Sequence, residues 1–213
     1  MGCNIGDLNN DGYPDFYAAT GTPDFSALIP NRMFLNDKGT TFKDVTKAGG
    51  FGHLQKGHGI AFGDLDADGD QDIYSVLGGS YQGDNFMNAL FQNPGTNNHY
   101  LNLKLEGTTS NRAAIGALVK TVTTTEGGEK TFFQRVRSGG SFGANTLRIE
   151  QGLGAATSIK RIEIFWPGSK EAEVIKGLDL DSFYLIKQGT GTGEKIVTQK
   201  IIFKKGTHQH HNH

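Results

Sequence analysis

The sequence predicts an all-β protein in which a partial β-propeller is followed by an antiparallel β-sandwich. Glycine supplies 31 of the 213 residues, about twice its usual share of about 7%, which indicates many tight turns between short elements. The first half contains an internal repeat with the length of a propeller blade. The second half alternates apolar and polar residues with a period of two, which is typical of strands that bury one face.

The overall composition predicts no membrane span. The chain has 36% hydrophobic residues and a mean hydropathy of −0.42, and no apolar run approaches the length of about 20 residues that a spanning helix needs. The lone cysteine, Cys3, cannot form an internal disulfide. The first residues form no basic and apolar signal region, so we expect a signal peptide upstream of this chain if the protein is exported.

The charge is divided unevenly along the chain, and this division places a domain boundary near Asn97. Residues 1–98 hold twelve Asp and no Glu against five Lys or Arg, a formal charge of −7, whereas the rest of the chain carries +6. Asp favours turns and hard-cation ligation. The sequence therefore predicts a repeat region at 1–98, a second domain at 99–190 and an extension at 191–213. The mildly basic second half is not a nucleic-acid footprint.

The repeat in the first half has an offset of 57 residues. Each unit is predicted to contain a short apolar strand, an Asp-rich loop, a second strand at 16–19 or 73–77, and a third strand near 32–35 or 89–92. Closed propellers need about four to eight blades, so two units cannot close alone. Either the chain is part of a longer protein, or neighbouring copies complete the open strand edges.

The Asp-rich loops, 7–15 and 64–72, share the spacing D-x-[DN]-x-D-G-x-x-D. Side-chain oxygens at positions 1, 3, 5 and 9 and a backbone carbonyl at position 7 can surround one hard cation, because the glycine at position 6 allows a sharp reversal. The predicted ligands are Asp7, Asn9, Asp11, Asp15 and the Tyr13 carbonyl in the first loop, and Asp64, Asp66, Asp68, Asp72 and the Asp70 carbonyl in the second.

These oxygen ligands favour Ca²⁺, with one ion in each loop, over softer metals and over Mg²⁺. An EF-hand is excluded, because position 12 is Ala18 in the first loop and Ser75 in the second, where that motif needs Glu. The alternative is a pair of ordinary Asp/Asn/Gly turns, but these would leave crowded carboxylates uncompensated. Because each loop can supply all of its own ligands, we expect the ions to brace the loops rather than to act on a substrate.

The repeated loops, with Phe62-Gly63 directly before Asp64, resemble the FG-GAP or VCBS repeat family of calcium-loop propeller blades. The second half resembles the ASPIC/UnbV domain that follows such repeats in cartilage-acidic-protein-like extracellular proteins. The segments that carry this second resemblance are 101–107, 110–117, 152–154 and 165–168. The chain departs from the family at 138–145, where relatives carry an aromatic and Ser/Gln-rich stretch, and at Gln151, where they carry Phe.

The predicted strands of the second half cover 101–105, 115–122, 131–136, 147–149, 162–166, 183–186, 195–197 and 201–203. Such a series of short strands favours a sandwich. Arg112 is expected to pair with Glu106 or to cap strand ends, although binding of a carboxylate or sugar is the alternative. Trp166 is expected in the core.

The sequence predicts that the chain is not an enzyme. It contains no nucleophile elbow, phosphate-binding glycine loop or zinc-binding helix, and its paired carboxylates lie inside the loops, where ligation needs them ionised. His53, His58 and His99 are isolated. The four histidines of the tail at 208–213 fit a cloning tag, a terminal extension or a transition-metal site.

We therefore expect an extracellular, calcium-binding module for binding or adhesion, whose loops and blade faces present a surface to a protein or a glycan. The first alternative is a structural subunit of a fibre or sheath that assembles with copies of itself through open strand edges. The second alternative is a non-catalytic appendage of a polysaccharide-active enzyme, since such repeats accompany carbohydrate enzymes in some relatives.

Overall fold

The computed structural model describes residues 2–21, 28–79, 82–83, 86–137 and 139–203. Within these residues it contains fifteen strands and no helix, so the all-β prediction is confirmed. In chain order the strands are β1 (Cys3–Gly6), β2 (Asp15–Ala18), β3 (Arg32–Asp37), β4 (Thr41–Asp44), β5 (Gly57–Gly63), β6 (Asp72–Leu77), β7 (Ala89–Phe91), β8 (His99–Glu106), β9 (Leu118–Thr125), β10 (Gly128–Arg135), β11 (Ile149–Gly154), β12 (Ser158–Phe165), β13 (Glu173–Ile175), β14 (Ser182–Lys187) and β15 (Glu194–Ile196).

The first two sheets are the two repeat units. Strands β1 to β4 form the first sheet in sequence order, and β5 to β7 form the second. In both sheets the Asp-rich loop joins the first two strands, at paired residues Gly6 and Asp15 in one and Gly63 and Asp72 in the other. Strand β4 was not predicted, because all four of its residues are exposed and carry no pattern of burial.

The other two sheets face each other across a common apolar core. Their strand orders are β11-β8-β14-β15 and β10-β9-β12-β13. The core includes fully buried residues of both sheets, among them Leu101, Leu103, Val119, Ile149 and Ile162. The second half is therefore the predicted two-sheet sandwich. One strand pair differs from the antiparallel prediction, since β14 runs parallel to β8, and alternation within a strand does not report the direction of its neighbour.

The four small sheets are arranged as a four-bladed β-propeller. Strand β1 of the first sheet lies against β5 of the second. Tyr100 of the third sheet covers Gly69 of the second unit, and Phe132 of the fourth sheet covers Gly12 of the first unit. The second half of the chain thus supplies two further blades beside the two repeat units.

Residues 139–145, which lie where the chain departs from its expected relatives, join the first two sheets. The Oδ1 atom of Asn145 accepts hydrogen bonds from Asn4 Nδ2 at 2.7 Å and from the Phe62 amide at 2.9 Å. Its Nδ2 donates to the carbonyl of Ile5 at 2.6 Å. One side chain from the second half therefore bonds to both β1 and β5.

Other sequence predictions for the second half have mixed outcomes. Trp166 is buried, and Arg112 Nη2 lies 3.1 Å from Glu106 Oε1, so both structural interpretations are confirmed. Strand β13 was not predicted, and the segment 201–203 forms no strand. The histidine tail at 208–213 lies outside the described residues.

Candidate metal loops

Both Asp-rich loops are built on the same two unusual backbone conformations. The residue at position 4 has a positive φ, 54° at Asn10 and 62° at Ala67. The glycine at position 6 has a φ of 86° at Gly12 and 97° at Gly69. Glycine enters this region without the penalty that a Cβ causes. The repeated spacing therefore produces a repeated turn that carries the acidic side chains.

The second loop brings three carboxylates together. Asp64, Asp66 and Asp68 each offer an oxygen, and these oxygens lie within 4.8 Å of one another. Asp66 is 0% exposed, and its Oδ1 atom has no hydrogen-bond partner among the described residues. A buried carboxylate oxygen without a partner is costly unless a cation or a proton neutralises it. Asp66 Oδ1 is therefore the atom of this loop that best fits a bound metal ion.

Each carboxylate of this cluster also accepts a hydrogen bond from outside the loop. The donors are Asn102 Nδ2 to Asp64 (3.1 Å), Gln92 Nε2 to Asp66 (2.7 Å) and Lys200 Nζ to Asp68 (2.9 Å). Burial acts to raise the pKa of Asp68, but the hydrogen bond from Lys200 is among the effects that leave this pKa below its usual value. The second domain and the C-terminal extension therefore both contact the second loop.

The first loop arranges its acidic side chains differently. Asp7 accepts hydrogen bonds from the amides of Asp11 at 3.1 Å and Gly12 at 2.9 Å, and Asn9 Nδ2 donates to Asp11 at 3.1 Å. Within the described residues, the second-loop cluster is the one place where three or more carboxylate, imidazole or thiol groups converge so closely. The backbone holds both loops alike, since the amide of Asp68 donates to Asp64 at 3.0 Å as the amide of Asp11 does to Asp7, so the loops differ in the convergence of their carboxylates.

The carboxylates at position 9 join each loop to the third strand region of its own unit. Asp15 accepts hydrogen bonds from the amides of Leu8 at 2.8 Å and Asn36 at 2.7 Å. Asp72 makes the equivalent pair of bonds in the second loop. Both oxygens of each carboxylate thus have a structural partner, and their ligation of calcium stays a prediction.

The residue at position 7 makes a hydrogen bond within its own loop in the first unit and a hydrogen bond to the other loop in the second unit. The amide of Tyr13 donates to Asp11 Oδ1 at 2.8 Å. The side chain of Asp70 accepts a hydrogen bond from Asn10 Nδ2 at 2.6 Å, which links the second loop to the first. Ligation by the backbone carbonyls of Tyr13 and Asp70 stays a prediction.

Burial and crowding raise the pKa of several of these carboxyl groups. Desolvation, followed by the charge of Asp15, raises the pKa of Asp7 to about 7. Desolvation raises the pKa of Asp72 to about 6, and desolvation together with the charge of Asp68 raises the pKa of Asp70 to about 6. A divalent cation would favour the ionised forms and act against these shifts.

Two buried polar residues that the sequence did not single out connect the loops to the second domain. Gln71 Oε1 accepts from the amide of Asp7 at 2.7 Å, and Gln71 Nε2 donates to Glu150 Oε2 at 2.9 Å. The amide of Asp64 donates to the same Glu150 oxygen at 3.2 Å. Gln71 was missed because the repeat has Pro14 at that position. Glu150 was missed because it stands beside a second polar residue, Gln151, in a strand of short and apolar residues.

Two family models match separate parts of the chain. A model described as an FG-GAP-like repeat matches residues 7–75, which include both Asp-rich loops. A model described as ASPIC and UnbV matches residues 107–193. No curated protein matches the chain, so the likeness to cartilage-acidic-protein-like proteins stays a prediction. The two matches confirm the domain composition of the chain, an FG-GAP-like repeat followed by an ASPIC and UnbV domain.

Proposed function

We propose that this chain is an extracellular, calcium-braced module that binds a protein or glycan and performs no catalysis. The observation that carries the proposal is the buried Asp66 Oδ1 atom, which lies without a partner in a cluster of three carboxylates. The domain composition supports a β-propeller module without catalytic chemistry. Calcium would neutralise the second loop and cross-link its two ends, because its ligands lie on both sides of the glycine turn.

The donor set favours calcium over other metals. The cluster of Asp64, Asp66 and Asp68 offers carboxylate oxygens, and no histidine or cysteine joins it among the described residues. Hard oxygen donors on an irregular loop suit Ca²⁺, which accepts six to eight ligands in flexible geometry. The first loop, with Asp7, Asn9 and Asp11, would form a second and weaker site after its side chains rotate toward a common ion.

Two arguments support the proposed extracellular location: the type of repeat and the calcium affinity that such loops can reach. FG-GAP-like repeats are typical of extracellular proteins. Extracellular calcium modules operate with dissociation constants of about 10⁻⁴–10⁻³ M, a range open to loops with few fully convergent carboxylates. None of the described segments is a helix long and apolar enough to cross a membrane.

The arrangement of the four sheets gives less support to assembly with copies of the same chain. The sandwich of the second half lies beside both repeat units, through Tyr100 on Gly69 and Phe132 on Gly12. A neighbouring copy is therefore not needed to cover these faces. Size-exclusion chromatography with calcium and with EDTA tests this, since the module is expected to stay monomeric and a fibre subunit would assemble.

Calorimetric titration of the EDTA-treated chain with calcium chloride tests the metal sites. We expect two binding events, of which Asp66→Asn removes the tighter. The Asp37→Asn variant is the matched control, because it removes one half-buried carboxylate that pairs with Lys43 outside the loops. The absence of binding at millimolar calcium, or equal binding by the wild-type and Asp66→Asn chains, would contradict the proposal.

Thermal unfolding gives a second test of the bracing role. Binding to the folded chain alone stabilises it by about 2.7 kcal/mol per site at a hundredfold excess over the dissociation constant. EDTA should therefore lower the melting temperature of the wild-type chain more than that of Asp66→Asn. An unchanged melting temperature after metal removal would show that the loops hold themselves.

A further inference from the structure

The second repeat unit lacks the fourth strand that the first unit has. In the first unit β3 pairs with β4, whereas the sheet of the second unit ends at β7, which pairs with β6. After β7 the chain leaves the repeat and enters β8 of the third sheet. Among the described strands, β7 therefore has an open edge. An open edge offers main-chain donors and acceptors to a further strand.

The main-chain groups of Leu90 face this open edge. Directly after β7, the amide of Asn93 donates at 2.8 Å to Oδ1 of Asp72, the first residue of β6. The main-chain groups of successive strand residues point to opposite sides, so Phe91 faces β6 and Leu90 faces away from it. The N–H and C=O groups of Leu90 are therefore placed to bond to an added strand.

The first unit shows what fills the equivalent edge. Met33 occupies the position of Leu90 in the repeat of 57 residues. Its amide donates to Thr46 Oγ1 at 3.0 Å, and its carbonyl accepts from the Val45 amide at 3.0 Å. Val45 also packs against the core cluster that contains Met33. An extended segment with an apolar residue therefore covers this edge in the first unit.

Three apolar side chains beside the open edge are exposed, although their equivalents in the first unit belong to the core. None of the first-unit side chains is more than 6% exposed, whereas the second-unit side chains are 36–40% exposed. Exposed apolar patches mark interaction surfaces. The equivalent pairs are Tyr17 with Tyr74, Ala19 with Val76, and Met33 with Leu90.

The second unit is strongly acidic. Residues 57–98 contain six Asp and no Glu, Lys or Arg. The acidic cluster lies at one end of the edge, because Gln92, directly after β7, donates to Asp66 at 2.7 Å. A bound calcium ion, together with Lys200 beside Asp68, would leave the unit negative. A basic segment is therefore attracted to this edge more strongly than an acidic one.

We propose that the open edge of β7 binds an extended, basic segment of a partner protein, which becomes the fourth strand of the second unit. The inference rests on the proposed function as a binding module and names its partner class. The main chain of the segment bonds to Leu90, and an apolar side chain of the segment lies beside Leu90 as Val45 lies beside Met33. Main-chain bonds supply the affinity of such strand addition, and alternate side chains supply its specificity.

Other occupants fit this edge less well. A saccharide has no main-chain amides with which to continue the ladder. In a second copy of this chain, β4 is already paired with β3. Pairing of β7 with β7 of a second copy would bring two acidic units together, which like-charge repulsion opposes.

The probes are synthetic peptides that copy residues 40–46 of the first unit, with both ends blocked. Fluorescence polarisation measures their binding to the whole chain at a fixed free calcium concentration. A Thr40→Lys peptide should bind a few-fold more tightly than a Thr40→Glu peptide at low salt, because this end of the strand lies toward the acidic cluster. The difference should shrink at high salt.

A matched pair of N-methylated peptides tests the strand pairing. In the first unit the Val45 amide faces β3, so the Asp44 amide faces away from it. N-methylation at Val45 should weaken binding about tenfold, whereas N-methylation at Asp44 should change it less than about threefold. Each peptide carries one added methyl group, so the difference reports which amide bonds to the edge.

Two variants at Leu90 locate the binding on the chain. Leu90→Pro removes the N–H group of the open edge, and proline is tolerated in an edge strand where this group faces solvent. It should weaken peptide binding about tenfold and leave calcium affinity unchanged. Leu90→Thr is the control, because it keeps the N–H group, and it should change binding less than about threefold. If Leu90→Pro does not fold, the N-methylated pair on the wild-type chain decides.

Four results would overturn the inference. They are no peptide binding at millimolar concentration, equal effects of N-methylation at Val45 and Asp44, unchanged binding by folded Leu90→Pro, and equal binding of the Thr40→Lys and Thr40→Glu peptides at low salt. A dimer of the chain that Leu90→Pro dissociates would make a second copy the occupant and overturn it as well.

The failure of this inference can be told apart from failure of the proposed function. If calcium binds and no peptide binds, the partner class is wrong while the calcium module stands. If the peptides bind and calcium does not, the strand site stands and the calcium-braced function fails.

Discussion

The two Asp-rich loops share one spacing and one backbone turn, but they differ in what surrounds them. In the second loop three carboxylates converge, and donors from Gln92, Asn102 and Lys200 contact them. The first loop has the same bonds from its own backbone amides as the second, but its carboxylates do not converge in this way within the described residues. The motif therefore determines the backbone shape of a loop, whereas the residues around the loop determine which of its carboxylates lie close together.

The glycine turn that both loops share can be tested by substitution, and this change should reduce stability most. Gly69→Ala should lower the free energy of unfolding by about 2–5 kcal/mol, because alanine is strained at a φ of 97° and its Cβ would overlap the Tyr100 ring. Gly12→Ala should lower the free energy of unfolding by a similar amount, because its Cβ would overlap the Phe132 ring. Chemical denaturation measures both changes.

Gly168→Ala is the control for these two variants. Its φ of 82° is similar, but nothing lies within 4 Å of an added Cβ, so it isolates the backbone strain. If Gly69→Ala lowers the free energy of unfolding no more than Gly168→Ala does, packing of the aromatic rings on the loop glycines does not stabilise the loops.

The pH dependence of the unfolding free energy, measured in EDTA, should distinguish the carboxyl groups of the two loops. Asp7 binds its proton up to a pKa of about 7 in the folded chain, whereas an unfolded Asp releases it near about 3.9. The folded state therefore holds more protons between these values, so the metal-free chain loses stability as pH rises from about 4 to 7, on the order of 4 kcal/mol for this group at about 1.36 kcal/mol per pH unit.

Substitution distinguishes the contributions to this pH dependence. Asp7→Asn should flatten the curve of unfolding free energy up to pH about 7, whereas Asp70→Asn should flatten it only up to about 6. Saturating calcium should reverse the slope, because the ion displaces protons from the carboxylates. A metal-free chain that gains stability from pH 4 to 7 would refute the assignment.

Calcium affinity should differ between the loops, with the second binding more tightly. Asp66 replaces Asn9 at position 3, which gives four carboxylates rather than three, and ligand charge tunes calcium affinity. Asn9→Asp should therefore raise the calcium affinity of the first site about tenfold and so reduce the difference in affinity between the two sites. Pro14 opposes this ranking, because it preorganises the first loop. Equal affinities in calorimetry would mean that preorganisation offsets charge.

The smallest expected effect concerns the ammonium group beside the second loop. Lys200 Nζ lies 2.9 Å from Asp68 Oδ2, and a calcium ion at this carboxylate must compete with it. Lys200→Met should raise the calcium affinity of the second site by a few-fold, since an exposed ion pair contributes about 0.2–1 kcal/mol. Lys195→Met, which breaks the exposed pair with Asp179, is the control. Equal shifts in both variants would indicate a general charge effect.

The features that the sequence could predict are those that depend on local residue patterns. The 57-residue repeat located both loops and their flanking strands, since spacing and glycine chemistry are local properties. Gln71 and Glu150 could not be paired from sequence, because they are 79 residues apart and the repeat does not mark either one. The parallel pairing of β8 and β14 was missed for a related reason, as it depends on how whole sheets meet.

The aromatic rings that cover Gly12 and Gly69 have a consequence for protein engineering. Each ring belongs to the second half of the chain and occupies the space that a side chain at the loop glycine would take. The two halves are therefore not independent units that can be exchanged at the predicted boundary near Asn97. A chimaera that joins these repeats to another sandwich will need planar side chains at the positions of Tyr100 and Phe132, or its loops will lose their cover.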